Sequence, residues 1–204
     1  MRLKRGVLIV FEGIDGSGKS TQANNLFHAL SERSFKAVYF SEPTQGKWGR
    51  IIKEKAAFPE SLSPEEELKL FQRDREENVE KNLKPALRKK QMVILDRYYF
   101  STIAYQGAKG IDTERIRKLN EKIAVEPDLV FILDLDAKKG LNRIENRKKK
   151  DLLFEREDYL VRVRQLFLQI NGDNIFHVNA DRSEEEISKE IKQIVFAYLN
   201  RLTL

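Results

Sequence analysis

The sequence predicts an α/β fold: three α/β/α layers around a five-stranded parallel sheet. Two observations lead there. Five short apolar runs alternate with longer stretches of helical periodicity, and the runs lack strict apolar–polar alternation, as strands buried on both faces do. Between the first run and the first helical stretch, Gly13-Ile14-Asp15-Gly16-Ser17-Gly18-Lys19-Ser20 spells G-x-x-x-x-G-K-[ST].

The elements follow in order. Val7–Phe11 is the first strand, and the helix after the glycine loop puts Ala23, Leu26, Phe27 and Leu30 on one face. Ala37–Phe40 is the second strand. Ser63-Pro64-Glu65-Glu66 is a capping box with proline at the first helical position, opening a helix toward Lys81. Met92–Leu95 is the third strand, and Asp112 caps a helix running to Ala124. Leu129–Leu135 is the fourth strand. Asp136 then caps a helix from Ala137 toward Arg147. Ile175–Val178 is the fifth strand. Ser183-Glu184-Glu185-Glu186 is a second capping box, whose helix carries Ile187, Ile191, Ile194, Val195, Tyr198, Leu199 and Leu202 on one stripe.

The 204 residues read as one domain, 1–204, without a linker-like stretch or internal repeat. A net charge of +6 suits an anionic ligand, and a nucleotide satisfies it as well as nucleic acid does. The absence of cysteine excludes disulfides and thiolate metal sites. His28 and His177 lie far apart and read as surface or core residues. No apolar run approaches membrane-spanning length and residues 1–15 lack a signal-peptide pattern, so a cytoplasmic protein with no membrane partner is expected.

The glycine loop is the phosphate cradle of P-loop NTPases. Gly13, Gly16 and Gly18 let the backbone curl so that its N–H groups, with Asp15, Ser17 and Thr21 in and beside the loop, surround a triphosphate. Lys19 reaches the β- and γ-phosphates, and the Ser20 hydroxyl ligates Mg²⁺. A nucleoside triphosphate with Mg²⁺ is the expected ligand pair. Asp96-Arg97-Tyr98 ends the third strand at the same sheet edge, where Asp96 can hold Mg²⁺ through water and Arg97 can clamp a phosphate.

Other segments stay open on the residues alone. Phe71 and Arg75 share a helix face at i and i+4, which suits a nucleobase pocket. The spacing by itself favours a core phenylalanine and a solvated arginine. The basic run Lys138–Lys150 is a solvated face, a nucleic-acid patch, or a lid whose arginines close over phosphates. In Glu42–Arg50, the lysine and arginine suit an acceptor phosphate, while Trp48 is a base-stacking platform or a hydrophobic lid on the core, with packing favoured. There is no H-R-D-type base and no Ser/His/Asp arrangement. An acceptor that is already an ionised phosphate, with a second pKa of about 6, needs none.

Taken together, Phe11–Gln22 and Asp96–Gly107 resemble the signature segments of thymidylate kinases, with Glu42-Pro43, Phe71 with Arg75, Pro85-Ala86-Leu87 and Pro127-Asp128-Leu129 in the order of that family. The resemblance covers nearly the whole chain. It implies transfer of the ATP γ-phosphoryl to dTMP, a homodimer, no nucleic-acid partner, and a lid at about 143–155. It implies that Asp15 contacts the sugar 3′-hydroxyl, Phe71 stacks on thymine, and Arg75 bonds the base edge. Arg97 bridges the two phosphates, with Ser101 in the same motif. Thr102 and Gln106 face the base, and Tyr105 crowds a ribose 2′-hydroxyl. Arg143 lies by the adenine. Gly16 stands where some members carry a catalytic arginine, so Arg147 of the lid takes that role. The chain departs from the family at Ser41 and Leu153, where arginines are usual, and Lys53 or Arg50 then meets the acceptor phosphate. Two rivals remain: a P-loop kinase for another acceptor, with Glu12 near enough to act as base on a hydroxyl, and a nucleotide switch or nucleic-acid-binding module.

Overall fold

The computed structural model describes residues 3–56, 62–144 and 150–202, with the backbone alone at 150–155. The strands are β1 (Val7–Gly13), β2 (Ala37–Ser41), β3 (Met92–Asp96), β4 (Leu129–Asp134) and β5 (Ile175–Asn179). They form one sheet in the order β2-β3-β1-β4-β5, and every pairing is parallel. The helices are α1 (Lys19–Glu32), α2 (Lys47–Ala56), α3 (Pro64–Asn78), α4 (Lys84–Arg88), α5 (Tyr99–Ala108), α6 (Thr113–Glu121), α7 (Ala137–Ile144), α8 (Lys150–Leu168) and α9 (Glu184–Leu199).

Strand periodicity sorts the core into two layers. Leu8, Val10, Val93, Leu95, Val130 and Ile132 point to one face, against α3, α5, α6 and α8. Val7, Ile9, Phe11, Met92, Ile94, Leu129, Phe131 and Leu133 point to the other, against α1 and α9. This is why β1 and β3 are apolar without alternation: both faces are covered. The edge strand β2 is only half-buried, and β5, at the other edge, is buried only at Val178.

The expected caps are in place. Ser63 and Glu66 form a reciprocal capping box on α3, and Ser183 and Glu186 form one on α9. The Asp112 carboxylate accepts from the Arg115 N–H at 2.6 Å, and Asp136 accepts from those of Lys138 and Lys139 at 3.1 and 3.3 Å. The α3 stretch does not continue to Lys81 as a regular α-helix. A π-helical turn occupies Val79–Leu83 before α4 begins, with the Lys84 N–H on the Val79 carbonyl. Pro85 has no N–H for the carbonyl four residues back and its ring crowds that carbonyl, so the chain widens by one residue. The regular helix α6 ends at Glu121, three residues before the expected Ala124. Helices α2, α4, α5 and α8 fall outside the expected elements. α5 buries Tyr99, Phe100, Thr102, Ile103, Ala104 and Gln106, so it carries too few solvent-facing positions to show a polar face.

Because all strands run one way, the ends of β1, β2 and β3 open on one edge. Register aligns Phe11, Asp96 and Ser41 across it. Among the described residues no helix is long and apolar enough to cross a membrane.

Candidate active site

The loop after β1 requires its glycines. Gly13 and Gly16 have φ of +134° and +78°, and a Cβ on them would stand 2.5 Å from the Leu133 carbonyl oxygen and 2.2 Å from that of Gly140. Gly18, at φ +91°, is the left-handed N-cap of α1. Lys19 is buried and donates to the Ile14 carbonyl at 2.7 Å, so its ammonium closes the loop on itself. Burial, and then the Arg97 charge, push the Lys19 ammonium down to about 7. Arg143 reaches the rim of the loop, donating to the Gly16 carbonyl at 3.3 Å and to that of Ala180 at 3.4 Å. Thr21 is exposed in the first turn of α1.

Beside the loop, the Ser20 hydroxyl donates to Asp96 Oδ2, and the Tyr39 hydroxyl reaches the same oxygen at 3.1 Å. Asp96 Oδ1 is buried without a hydrogen-bond partner. A hydroxyl oxygen next to an unmatched carboxylate oxygen suits a hard cation such as Mg²⁺. No cluster of three or more His, Cys, Asp or Glu able to hold a metal occurs among the described residues. Such a cation would therefore draw most of its oxygens from phosphate and water.

Arg97 occupies a left-handed backbone position, φ +68°. Its guanidinium pairs with Asp15, donates to Ser101 Oγ at 3.1 Å, and lies 5.2 Å from the Tyr105 ring centre. The Tyr105 hydroxyl accepts the Asp15 backbone N–H at 3.1 Å, and burial pushes that phenol up to about 12. Burial works against ionisation of Asp15, but Arg97 and Lys19 hold its carboxyl below the usual range. Lys19, Asp15, Arg97, Ser101 and Tyr105 thus form one cluster.

The second cluster centres on Arg75, 1% exposed. It pairs with Glu42 at 2.8 Å, donates to Asn120 Oδ1 and to Thr102 Oγ1 at 3.1 Å, and lies over Tyr98. Its Nε is buried with no partner. Phe71, one turn earlier on α3, is half-buried and belongs to neither core layer. The spacing-based preference for a core phenylalanine and a solvated arginine is overturned on both counts. Gln106 is buried and donates to Glu67 at 3.0 Å.

A sequence profile described as thymidylate kinase matches residues 11–191. The chain is 43% identical over 194 residues to a probable thymidylate kinase of Archaeoglobus fulgidus, covering 95% of this chain and 97% of that protein. It is 43% identical over 190 residues to a thymidylate kinase of Akkermansia muciniphila, covering 93% and 91%. The crystal structure of thymidylate kinase from Ehrlichia chaffeensis superposes with a TM-score of 0.76 at 32% identity, covering 93% of this chain and 98% of that one. The chain belongs to the thymidylate kinase family.

Further contacts surround the site of this thymidylate kinase family member. The position of Gly16, where the resemblance allows an arginine, is closed by Gly140 of α7; a Cβ on Gly140 would in turn stand 2.7 Å from the Asp15 carbonyl oxygen. Arg147 lies outside the described residues, as do the side chains of 150–155 and hence that of Leu153. Lys53 is exposed and donates to the Thr44 carbonyl at 3.0 Å, while Asp74 holds the Thr44 N–H at 2.8 Å and its hydroxyl at 2.6 Å. Trp48 is half-buried outside both core layers, with Lys47 and Arg73 over its ring at 4.7 and 4.8 Å. The packing reading of Trp48 gives way to a cation-covered ring. Glu12 is fully buried, and its oxygens accept from the Tyr98 and Ser101 N–H groups and the Ser101 hydroxyl. A carboxylate so occupied is poorly placed to take a proton from a hydroxyl acceptor.

Sequence reasoning missed Tyr39, Gly140 and Asn120, and assigned Glu42 no role. Only Asn120 left a signal: with Ile116 four residues before it, it is a polar residue on the apolar stripe of α6.

Proposed function

We propose that this chain transfers the γ-phosphoryl of ATP to dTMP, giving dTDP and ADP. The observation that carries the reading is the position of Arg97, between the P-loop cluster and the cluster around Arg75. It pairs with Asp15 of the loop, its hydroxyl partner Ser101 precedes Thr102, and Thr102 accepts from Arg75. These contacts support a reading in which the triphosphate grip and the base pocket belong to one site.

In the transfer, the bond from the γ-phosphorus to the β–γ bridging oxygen breaks, and a bond from an acceptor phosphate oxygen to that phosphorus forms. The acceptor is already ionised, so no side chain takes a proton. Lys19 exchanges the Ile14 carbonyl for phosphate oxygens, and Arg97 spreads the charge shared by donor and acceptor. Phe71 stacks on thymine, and Arg75 with Thr102 and Gln106 meets its polar edge. Asp15 and Tyr105 border the sugar, Lys53 serves the acceptor phosphate, and Arg143 flanks the adenosine. Arg147 supplies the lid charge. Ser20, and Asp96 directly or through water, would hold Mg²⁺, which would supply neutralisation of phosphate charge. Family membership also supports a homodimer, and soluble substrates support a cytoplasmic location.

A coupled ADP-release assay with ATP across deoxy- and ribonucleoside monophosphates tests this. The expected order is dTMP first, dUMP reduced by the value of one methyl, about 1 kcal/mol, and purines far below. Preference for a purine monophosphate or an unphosphorylated nucleoside overturns it.

A further inference from the structure

A glutamate in the middle strand of a sheet, with no solvent contact, needs a reason. Glu12 is 0% exposed on β1, in register with Ile132 of β4. Its Oε1 accepts from the N–H of Tyr98 at 2.8 Å and that of Ser101 at 3.2 Å. Its Oε2 accepts the Ser101 hydroxyl hydrogen.

Two consequences follow. Tyr98 is the N-cap of α5 and its side chain makes no capping bond. Glu12 therefore caps α5 from a different strand. Together with the Phe11 carbonyl, which accepts the Arg97 N–H at 2.9 Å, it holds consecutive N–H groups on either side of the left-handed Arg97. The second consequence concerns direction. A guanidinium only donates, so the Ser101 oxygen must turn a lone pair to Arg97 and leave its hydrogen for Glu12. Its hydrogen goes to Glu12 and its lone pair takes the Arg97 Nη1 hydrogen at 3.1 Å.

We propose that Glu12 is a positioning residue for the transfer, aiming the Arg97 guanidinium through the Ser101 hydroxyl while it pins the backbone turn that carries Arg97. The inference rests on the phosphate-bridging role given to Arg97 above. Glu12 touches no substrate in this arrangement. Its two acceptor oxygens set the geometry of the group that does.

The test is a kinetic cycle on the full chain: Glu12→Gln, Ser101→Ala, Arg97→Ala, and each of the first two combined with the third, with melting temperatures and the KM for ATP and dTMP measured alongside. Glu12→Gln and Ser101→Ala are each expected to lower kcat by about 10-fold or more, with the KM for ATP changed less than about 3-fold. In the Arg97→Ala background neither should lower kcat further. Losses that multiply in that background overturn the proposal and leave Glu12 a helix cap. Ser101→Ala keeps Glu12 and its backbone bonds, so it decides the matter if Glu12→Gln does not fold; an unchanged kcat for Ser101→Ala then overturns the relay. Near-normal turnover by Arg97→Ala alone would instead overturn the role of Arg97.

Discussion

The Arg75 guanidinium and the Glu42 carboxylate stand 2.8 Å apart, with their side chains only 1% and 3% exposed. They come from α3 and from the residue after β2, and Asn78 donates to the other Glu42 oxygen at 3.0 Å. Burial pushes the Glu42 carboxyl up, and Arg75 opposes that push. Removing one partner leaves a buried charge alone, which destabilises by about 3–5 kcal/mol. Glu42→Ala is expected to lose stability of that order in urea unfolding, and Glu42→Gln less. A change below about 1 kcal/mol for Glu42→Ala would show that Arg75 finds another counter-charge.

The base stacking proposed for Phe71 can be tested apart from folding, because the residue is half-buried and outside both core layers. Phe71→Ala is expected to raise the KM for dTMP by about 10-fold while leaving that for ATP nearly unchanged, since a stacked aromatic is worth about 1–3 kcal/mol per base. Equal weakening of both, with a large fall in melting temperature, would make Phe71 a packing residue.

Gly16 and Gly18 make a controlled pair. Both have positive φ, but a Cβ on Gly16 meets the Gly140 carbonyl at 2.2 Å, and one on Gly18 meets nothing within 4 Å. Gly18→Ala carries the backbone strain alone, about 1–2 kcal/mol. Gly16→Ala must also move α7 or the loop. Titration with ATP should show Gly16→Ala much the weaker binder, and equal affinities would contradict the contact.

How much of this was legible depends on how local each cause is. The five strands show because runs such as Val7–Phe11 are apolar for a local reason, coverage on both faces. Ser63 and Ser183 mark helix starts because a capping box spans four residues. The P-loop is contiguous and reads directly. Arg75 does not, since its burial depends on Glu42, Thr102 and Asn120, which are distant in sequence. Gly140 against Gly16 is likewise a contact between separate loops and helices, invisible to spacing.

Glu12 gives the pH dependence. Burial pushes its carboxyl up from 4.5 to about 7, against the pull of the Ser101 hydroxyl, the Arg97 charge and two N–H donors. A carboxyl raised on folding contributes stability that is fully present below 4.5 and is lost as pH rises through about 7. Lys19, pushed down to about 7, contributes with the opposite sign above that pH, so the comparison must be a difference between variants. Wild type should lose stability relative to Glu12→Gln between pH 5 and pH 8, on the order of 3 kcal/mol. A constant difference across that range would mean that Glu12 does not titrate there.

In the proposed function, Arg97 joins a triphosphate grip to a dTMP pocket. Following the label from γ-³²P-ATP in the presence of dTMP, for wild type and Arg97→Ala, tests it most directly. Label is expected in dTDP, formed about 100-fold or more slowly by Arg97→Ala at unchanged ATP affinity. Label released as inorganic phosphate without dTDP, or equal rates for the two proteins, would contradict it.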